Sequence, residues 1–285
     1  MLLPMNRYMQ DVDAVAAIED PMKRAAGAHT LVTDFSAAVN EASRVRRESL
    51  EELVGQYTHA AIAEHLNITR ARVGQLLKSG PRPERAMLGY GELTVALGGK
   101  SEGDKEKPGP VVSTDDLGGY QLVSDTAREL GLSARYEVVQ PPGMIDLNRD
   151  NLIVACGPRL SPLIAQVLHA DRRFQFAKDQ DGWHLIDRET DTIHRSPMDS
   201  GENRDYGYLA RLPRFDGGGT FLYAAGVHAP GVSGALHYLT NNLAELYNQV
   251  KLKRFSMLVS CEFDPDTRRI QTSEALTPAH VPEHA

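Results

Sequence analysis

The chain has 285 residues, of which 41% are hydrophobic and 24% are charged, and its formal net charge at pH 7 is -7. This composition is typical of a folded globular protein that is long enough for two domains. It excludes a protein that coats nucleic acid without selectivity, because such proteins carry a large positive charge. No apolar run approaches the roughly 18 residues that span a membrane, and no signal peptide is evident. The sequence therefore predicts a cytoplasmic protein without a membrane partner.

The cysteines and histidines do not follow the spacing of a metal site. Cys156 and Cys261 are the two cysteines, and both lie in apolar segments. We interpret them as small buried side chains, with a redox pair as the alternative. The histidines show no HExxH or comparable spacing, so we expect no metal site.

Helices are predicted for the N-terminal part of the chain. Residues 11–29 carry apolar side chains on a helical stripe interrupted by Pro21, which predicts two short helices or one kinked helix. A longer helix is expected over residues 34–54, with Asp34 or Ser36 as its cap. Its predicted core-facing side chains are Phe35, Ala38, Val39, Ala42, Val45, Leu50, Leu53 and Val54.

Residues 58–79, THAAIAEHLNITRARVGQLLKS, fit the pattern of a helix-turn-helix. Ala63 occupies the position where a small side chain lets two helices approach closely. Asn67 occupies the turn position that usually needs a positive φ, which Asn tolerates. Thr69 is expected to cap the second helix. The predicted apolar positions are Ile62, Leu66, Ile68, Val73 and Leu76.

Residues 34–79 resemble the DNA-binding part of the fourth conserved region of bacterial sigma factors. The most specific portion of the resemblance is AAIAEHLNITRARVGQLL. The resemblance implies a bacterial transcription regulator in which residues 68–78 form the helix that reads DNA. The alternative is an ordinary helical hairpin with a solvated basic face.

The outer face of the second helix carries the residues that we expect to contact double-stranded DNA. Arg70 can bridge two acceptors on guanine and Gln75 can bridge adenine, so we predict that both read bases. Arg72, Lys78 and Arg82 are predicted to contact phosphates. The predicted DNA-binding residues of the helix-turn-helix are Thr69, Arg70, Ala71, Arg72, Gly74, Gln75 and Lys78.

Residues 1–85 carry equal numbers of basic and acidic side chains, so any attraction to DNA must be local. Folding would have to bring the basic residues to one side. Those residues are Arg44, Arg46, Arg47, Arg70, Arg72, Lys78, Arg82 and Arg85. One recognition helix covers too few base pairs for useful selectivity, which predicts a homodimer that contacts paired half-sites. The apolar N-terminal helices are the expected contact.

From residue 85 the chain repeats the order strand, glycine-containing turn, helix, which favours a mostly parallel sheet. Strands are predicted at residues 92–97, 135–139, 151–156, 221–225 and 255–261, and helices at residues 116–131, 161–169 and 232–250. Shorter strands at residues 174–177, 183–187 and 192–194 predict an antiparallel appendage. Residues 100–110 are expected to form a mobile loop, and the tail after Thr277 is expected to be disordered.

The predicted fold class is therefore α/β overall. An all-α helix-turn-helix domain is expected at residues 1–84, followed at residues 85–277 by a Rossmann-like, mostly parallel α/β domain that senses a ligand. Residues 278–285 form the predicted tail.

The turns after the parallel strands form the candidate ligand site, because ligands of open parallel sheets lie outside the carboxyl ends of the strands. Ser161 and Ser233 are predicted to begin helices whose free N–H groups favour an anion, and Arg159 can bind phosphate or carboxylate. The predicted ligand-binding residues are Gly157, Pro158, Arg159, Ser161, Gly226, His228, Gly231, Ser233 and Glu262. Neither GPRLSP nor GVHAPGVSG is a GxGxxG or Walker loop, so the alternative is that each is only a tight turn.

These patterns favour a sequence-specific transcription regulator whose C-terminal domain binds a small anionic, nucleotide-like effector and requires no cofactor. One alternative is a nucleotide-processing enzyme, a hydrolase or glycosidase, joined to a DNA-binding module. Another is a structural second domain that dimerises the regulator. No GxSxG marks a nucleophile elbow. His228, Asp205 and Glu262 are candidates for acid or base chemistry without a defined catalytic set, so a regulator is favoured over an enzyme.

Overall fold

The structure, a computed structural model, describes residues 6–103 and 109–282. The chain divides between Pro83 and Glu84 into two units, each with its own core. A small cluster of buried side chains forms the core of the first unit. Two larger clusters lie on the two faces of a sheet in the second unit. None of the described helices combines the length and apolar character needed to cross a membrane.

The first unit is helical. Its described elements are α1 (Asn6–Ala16), α2 (Pro21–Leu53), α3 (His59–His65) and α4 (Arg70–Ser79). Its buried apolar side chains are Leu50, Ile62, Ala63, Val73 and Leu76. Because these residues come from the end of α2 and from α3 and α4, the core holds these three segments together.

The helix α2 is continuous over 33 residues, so the predicted start of a helix near Asp34 is wrong. Asp20 caps α2, since its Oδ1 accepts two backbone N–H bonds at 2.8 and 3.2 Å. Pro21 occupies the first turn, where its missing N–H costs nothing and its fixed φ suits the helix. Pro21 therefore begins the helix rather than interrupting one, and the predicted caps Asp34 and Ser36 lie inside it.

Most of the predicted core-facing set of α2 is not buried. Leu50 is buried, whereas Val39 and Val45 are 65% and 48% exposed. Ala38, Ala42 and Val54 are also exposed, and Phe35 and Leu53 are only half-buried. The apolar stripe exists, but the core that forms against α3 and α4 reaches only the C-terminal part of α2.

Residues 66–69 join α3 to α4 with the predicted local geometry. Asn67 has a φ of 54°. The hydroxyls of Thr58 and Thr69 accept backbone N–H bonds at 3.3 and 3.2 Å and cap α3 and α4. Of the predicted apolar positions, Ile62, Val73 and Leu76 are buried and Ile68 is half-buried. The prediction for Leu66 is wrong, because this side chain lies at the end of α3 and is 41% exposed.

The second unit is mixed α/β. Its strands are β1 (Glu92–Gly98), β2 (Lys100–Ser101), β3 (Pro110–Val111), β4 (Ser133–Val139), β5 (Leu152–Ala155), β6 (Phe174–Asp179), β7 (Gly182–Asp187), β8 (Thr192–Arg195), β9 (Arg204–Pro213), β10 (Thr220–Gly226), β11 (Phe255–Phe263) and β12 (Ile270–Ala275). Its helices are α5 (Thr114–Glu129), α6 (Pro162–Leu168), α7 (Ala229–Asn241) and α8 (Leu243–Val250).

A mostly parallel seven-stranded sheet has the order β12-β11-β9-β10-β5-β1-β4. Strands β4, β1, β5 and β10 pair in parallel. Strand β9 pairs antiparallel with β10 and with β11, so β11 runs in the same direction as β10. The helices α5, α7 and α8 supply the core on one face. On the other face lie α6 and the antiparallel sheet β6-β7-β8, which is the predicted appendage.

The sequence did not predict β9 or β12, although β9 lies inside the sheet. Strand β9 contains Asp205, Gly207 and Arg211, which interrupt its apolar pattern. The predicted single helix over residues 232–250 is also wrong, because α7 ends at Asn241 and α8 begins at Leu243. Between them, the Asn242 side chain donates to the backbone oxygen of Tyr238 at 3.0 Å and competes with the helical bonding.

Two segments that we predicted to be irregular form backbone pairs. Strands β2 and β3 pair at the two ends of the predicted mobile loop, whose residues 104–108 lie outside the described part of the chain. Near the C-terminus, Ser256 and His280 exchange backbone hydrogen bonds at 3.0 and 2.8 Å. The prediction of a disordered tail is therefore wrong at this point, while residues 283–285 lie outside the described residues.

Candidate functional site

The exposed face of α4 carries the residues predicted to contact DNA. Thr69, Arg70, Ala71, Arg72, Gln75 and Lys78 are exposed, and Gly74 is half-buried. Val73 and Leu76 face the core instead. A Cβ on Gly74 would meet nothing within 4 Å, so this residue leaves open space on the face. The helical period therefore separates the core side of α4 from its polar side.

Two side chains on this face already bond to each other. Arg72 Nη1 donates to Gln75 Oε1 at 2.6 Å. The side chain of Arg70 forms no ion pair or hydrogen bond to another described residue. Arg70 is thus ready to meet an acceptor, whereas Gln75 must release Arg72 before its carbonyl can bind elsewhere.

Several arginines that we predicted to attract DNA have structural partners. Arg44 is buried and pairs with Glu41 and Glu48 at 2.7 and 2.8 Å. Arg47 pairs with Glu51 at 2.7 Å and donates to the backbone oxygen of Gly80 at 2.7 Å, just after α4. Arg85 is buried in the second unit. These three arginines are therefore held by the protein itself and are less suited to contact DNA.

In the second unit, four predicted ligand residues meet at the carboxyl ends of β5 and β10. Gly157, Pro158, Arg159 and Gly226 line one pocket together with Phe176, Trp183 and Val227. The pocket has a volume of about 10 Å³, which is the space of about one water molecule. The structure thus brings together the turns after these two strands, with aromatic side chains of the antiparallel sheet beside them.

The two predicted helix-starting serines have structural roles. Ser161 is buried and caps α6, where its Oγ accepts the backbone N–H of Ile164 at 3.4 Å. Ser233 is buried inside α7, and its Oγ donates to the backbone oxygen of Asp115 at 2.5 Å. The prediction that Ser233 begins a helix is wrong, because α7 starts at Ala229.

The start of α7 is held by a carboxylate from a neighbouring strand. Asp205 is fully buried, and its Oδ2 accepts the backbone N–H groups of His228 and Gly231 at 3.0 and 2.7 Å. Its Oδ1 accepts the Ser196 hydroxyl at 2.6 Å. Burial raises the pKa of Asp205, while these hydrogen bonds act in the opposite direction. Asp205, which we considered as a catalytic group, therefore binds N–H groups at the start of α7, which lies before Ser233, where we expected the helix and its anion-binding N–H groups to begin.

The glycines of this turn allow the backbone to pack closely. A Cβ on Gly231 would lie 2.3 Å from the backbone oxygen of Tyr206. A Cβ on Gly226 would lie 2.2 Å from the backbone oxygen of His228. The His228 ring contacts a carboxylate instead, with its Nε2 2.7 Å from Asp199 Oδ1. These glycines thus have a packing function besides any role toward a ligand.

Glu262 lies apart from the Gly157 pocket. It is an exposed residue within β11 and lines a separate cavity of about 270 Å³ with Glu202 and Arg204. The prediction grouped it with the strand ends because we expected β11 to stop at Cys261. The strand continues to Phe263.

Sequence reasoning missed an acidic pair at the start of α5. Asp115 and Asp116 are both buried in the first turn of this helix. Burial, with a smaller contribution from the charge of Asp115, raises the pKa of Asp116 from 3.8 to about 7, and Lys100 acts in the opposite direction. Burial also raises the pKa of Cys156 to about 12, with a contribution from the charge of Asp116. These mutual influences link Asp116 to residues that follow β1 and β5.

The position of this pair is the one that an open α/β sheet offers to ligands. The chain leaves β1 to form β4 on one side and later β5 on the other, so a crevice opens at the carboxyl ends of β1 and β5. Strongly shifted pKa values cluster at functional sites. The SxDD pattern of residues 113–116 was the sequence signal that could have revealed this pair, because the first turn of the helix that follows a parallel strand lies at the carboxyl edge of the sheet.

Comparisons of the sequence with known protein families and curated proteins, and of the structure with solved structures, found no match. Function must therefore be inferred from the chain's own residues.

Proposed function

We propose that this protein is a sequence-specific DNA-binding transcription regulator whose first unit reads DNA as a helix-turn-helix. The observation that carries the proposal is the polar face of α4, where a potential base-reading Arg and Gln lie beside further cations. The positive φ of Asn67 and the Thr69 cap support the same proposal, because they give α3 and α4 the connection expected of the motif.

The residues of α4 have separate roles in this proposal. Arg70 donates two hydrogen bonds to guanine, and Gln75 bonds adenine in the major groove. The Arg72–Gln75 bond of the free protein breaks on binding, and Arg72 then turns to a phosphate. Lys78, one helical turn from Gln75, contacts a second phosphate.

We also propose a homodimer formed by α1 and α2. Within residues 21–43 of α2, no described side chain is buried, and Met22 and Val39 are 79% and 65% exposed. Tyr8 packs edge-on against Phe35, so α1 covers only part of this surface. Long helices in proteins depend on packing of an apolar face. A second copy supplies that packing and provides the second recognition helix that paired half-sites need.

The second unit, in this proposal, binds a small anionic, nucleotide-like effector at the strand ends of a Rossmann-like sheet. The pocket at Gly157 holds only about one water molecule, so the effector would lie outside it, where the exposed Arg159 supplies the charge. Asp116 lies at the crevice between the carboxyl ends of β1 and β5, and its charge changes near neutral pH. The same property supports a second candidate function, a nucleotide-processing enzyme, because a general acid or base works best with a pKa near the working pH.

A selection from randomised DNA with the full-length protein tests the DNA-reading proposal. We expect an enriched motif with two half-sites. Replacement of Arg70→Ala or Gln75→Ala should each cost about 1–3 kcal/mol and relax selectivity at one base pair. Arg128→Ala, which changes an exposed arginine of α5, is the matched control and should bind as the wild type does.

The absence of any enriched motif would overturn the DNA-reading proposal. Incubation of the protein with a panel of nucleotides separates effector from substrate. Turnover that is lost in Asp116→Asn supports the enzyme, whereas binding without turnover that is lost in Arg159→Ala supports the regulator.

A further inference from the structure

A cavity of about 490 Å³ lies at the end of the sheet opposite to the Gly157 pocket. It is located where β9 ends at Pro213 and β11 begins at Phe255. Because β11 runs in the direction of the parallel strands, this is their amino end. All of its described lining residues belong to the second unit. The cavity is therefore separate from both sites discussed above.

The charged side chains around this cavity are mainly cationic. Arg172, Arg211 and Arg254 line it together with His280, and Asp171 is the one acidic residue among the described lining residues. Arg172 is exposed and has no ion pair with another described residue. An anion that enters the cavity therefore meets several guanidinium groups.

Arg211 is the least expected member of this group, because it is only 8% exposed and has no carboxylate partner among the residues that the structure describes. Its Nη1 donates to Thr220 Oγ1 at 3.3 Å and its Nη2 to the backbone oxygen of Met87 at 2.6 Å. Its Nε has no hydrogen-bond partner among the described residues. A buried charge without a counterion is costly. Burial lowers the pKa of Arg211 only to about 10, so the side chain stays cationic at neutral pH.

Asp171, the acidic residue beside these arginines, directs both of its carboxylate oxygens to other donors. Its Oδ1 accepts the backbone N–H groups of Arg173 and Phe174 at 2.8 and 3.1 Å. Its Oδ2 accepts the Tyr208 hydroxyl at 2.6 Å. These three donors hold the carboxylate in the turn that precedes β6.

We propose that this cavity binds an organic phosphate of about nucleotide size. Arginine forks match phosphate oxygens in pairs, and a phosphate gives Arg211 a counterion that the described residues do not supply. The volume falls within the range of small-molecule sites, about 300–1,000 Å³. Leu212, Pro213 and Phe255 add apolar surface for the uncharged part of the ligand. This site is independent of the DNA-reading proposal.

Calorimetric titration of the full-length protein tests the proposal with adenosine and guanosine mono-, di- and triphosphates, pyrophosphate and the two unphosphorylated nucleosides. We expect binding of a nucleotide, no comparable binding of its nucleoside, and a higher thermal midpoint in its presence. Arg172→Ala should weaken the affinity at least about tenfold. Arg211→Lys, which retains the charge but loses the fork, should also weaken it, with circular dichroism used to verify folding.

Arg128→Ala is the matched control, and Arg159→Ala locates the site. Equal affinity of Arg172→Ala and the wild type would overturn the proposal, as would equal binding of nucleoside and nucleotide. Loss of binding in Arg159→Ala with retention in Arg172→Ala would place the phosphate at the strand ends and also overturn it. If none of the phosphates binds at millimolar concentration, the proposal is wrong even when the DNA selection succeeds.

Discussion

The near-neutral pKa of Asp116 predicts that the second unit becomes less stable as the pH rises from about 4 to about 7. Burial raises this pKa from the ordinary value of 3.8 to about 7. Between these values the folded carboxyl keeps its proton while the unfolded one releases it, so the unfolded state is favoured as the pH increases. The full difference corresponds to about 4 kcal/mol, since one pKa unit is worth about 1.4 kcal/mol.

The substitution Asp116→Asn should remove this pH dependence. Between pH 5 and pH 8, the wild type should lose about 3 kcal/mol of unfolding free energy relative to the variant, because the slope of about 1.4 kcal/mol per pH unit acts over roughly two units. Urea unfolding at several pH values measures the difference. Trp183 is the single tryptophan and lies in β7, so its fluorescence follows the second unit.

Asp125→Asn is the control on the same helix. Hydrogen bonds from Gln121 and Arg128 lower the pKa of Asp125 below its ordinary value of 3.8, so this carboxyl is ionised in the folded and the unfolded state throughout the assay and its removal should leave the pH dependence between pH 5 and pH 8 unchanged. If the stability of the wild type and of Asp116→Asn changes in parallel between pH 5 and pH 8, the burial argument for this crevice is refuted.

Four further predictions concern DNA affinity, assembly, packing around Gly231 and the helix propensity of Gly118. Arg72→Ala should weaken binding to all DNA sequences alike and lower the salt slope by about 0.9, as measured by titrations at several salt concentrations; loss of selectivity would contradict its phosphate role. In sedimentation at micromolar concentration the wild type should be a dimer and Val39→Glu a monomer, with Val111→Glu as the control; a monomeric wild type would exclude the proposed α1–α2 contact. Gly231→Ala should cost about 1–3 kcal/mol because of the Tyr206 oxygen. Gly118→Ala, which meets nothing within 4 Å inside α5, should stabilise by about 0.5–1 kcal/mol in the same unfolding assay.

The local structure of α3 and α4 could be predicted because the information lies within a few residues. The spacing of Ile62, Val73 and Leu76 defines the buried side, and Asn67 is suited to a positive φ. The burial of α2 could not be predicted in the same way. Its apolar stripe does not reveal how far the neighbouring helices extend, and Val39 is therefore apolar in sequence but exposed in this chain.

Strand β9 was missed for a related reason, since its polar residues find partners that are distant in sequence. Asp205 bonds to the N–H groups at the start of α7, and Arg211 reaches the backbone of Met87. The apolar strands β5, β10 and β11 were predicted, so the sheet edge with Arg159 was also predicted. The carboxylate at the same edge, Asp116, was missed because its shifted pKa comes from burial, which only the folded structure shows.

A ligand of the second unit controls transcription only if it binds one arrangement of the paired recognition helices better than another. A ligand with equal affinity for both arrangements does not change their populations. Bound operator DNA must then change the affinity for the ligand by the same factor. If a nucleotide weakens operator binding tenfold, saturating operator DNA must weaken nucleotide binding tenfold, which equals about 1.4 kcal/mol of coupling. Titration of the nucleotide with and without operator measures this directly. A nucleotide whose affinity is unchanged by operator DNA is not the effector, even if it binds tightly. For a nucleotide that does respond, Arg172→Ala and Arg159→Ala show which of the two cavities is coupled to DNA binding.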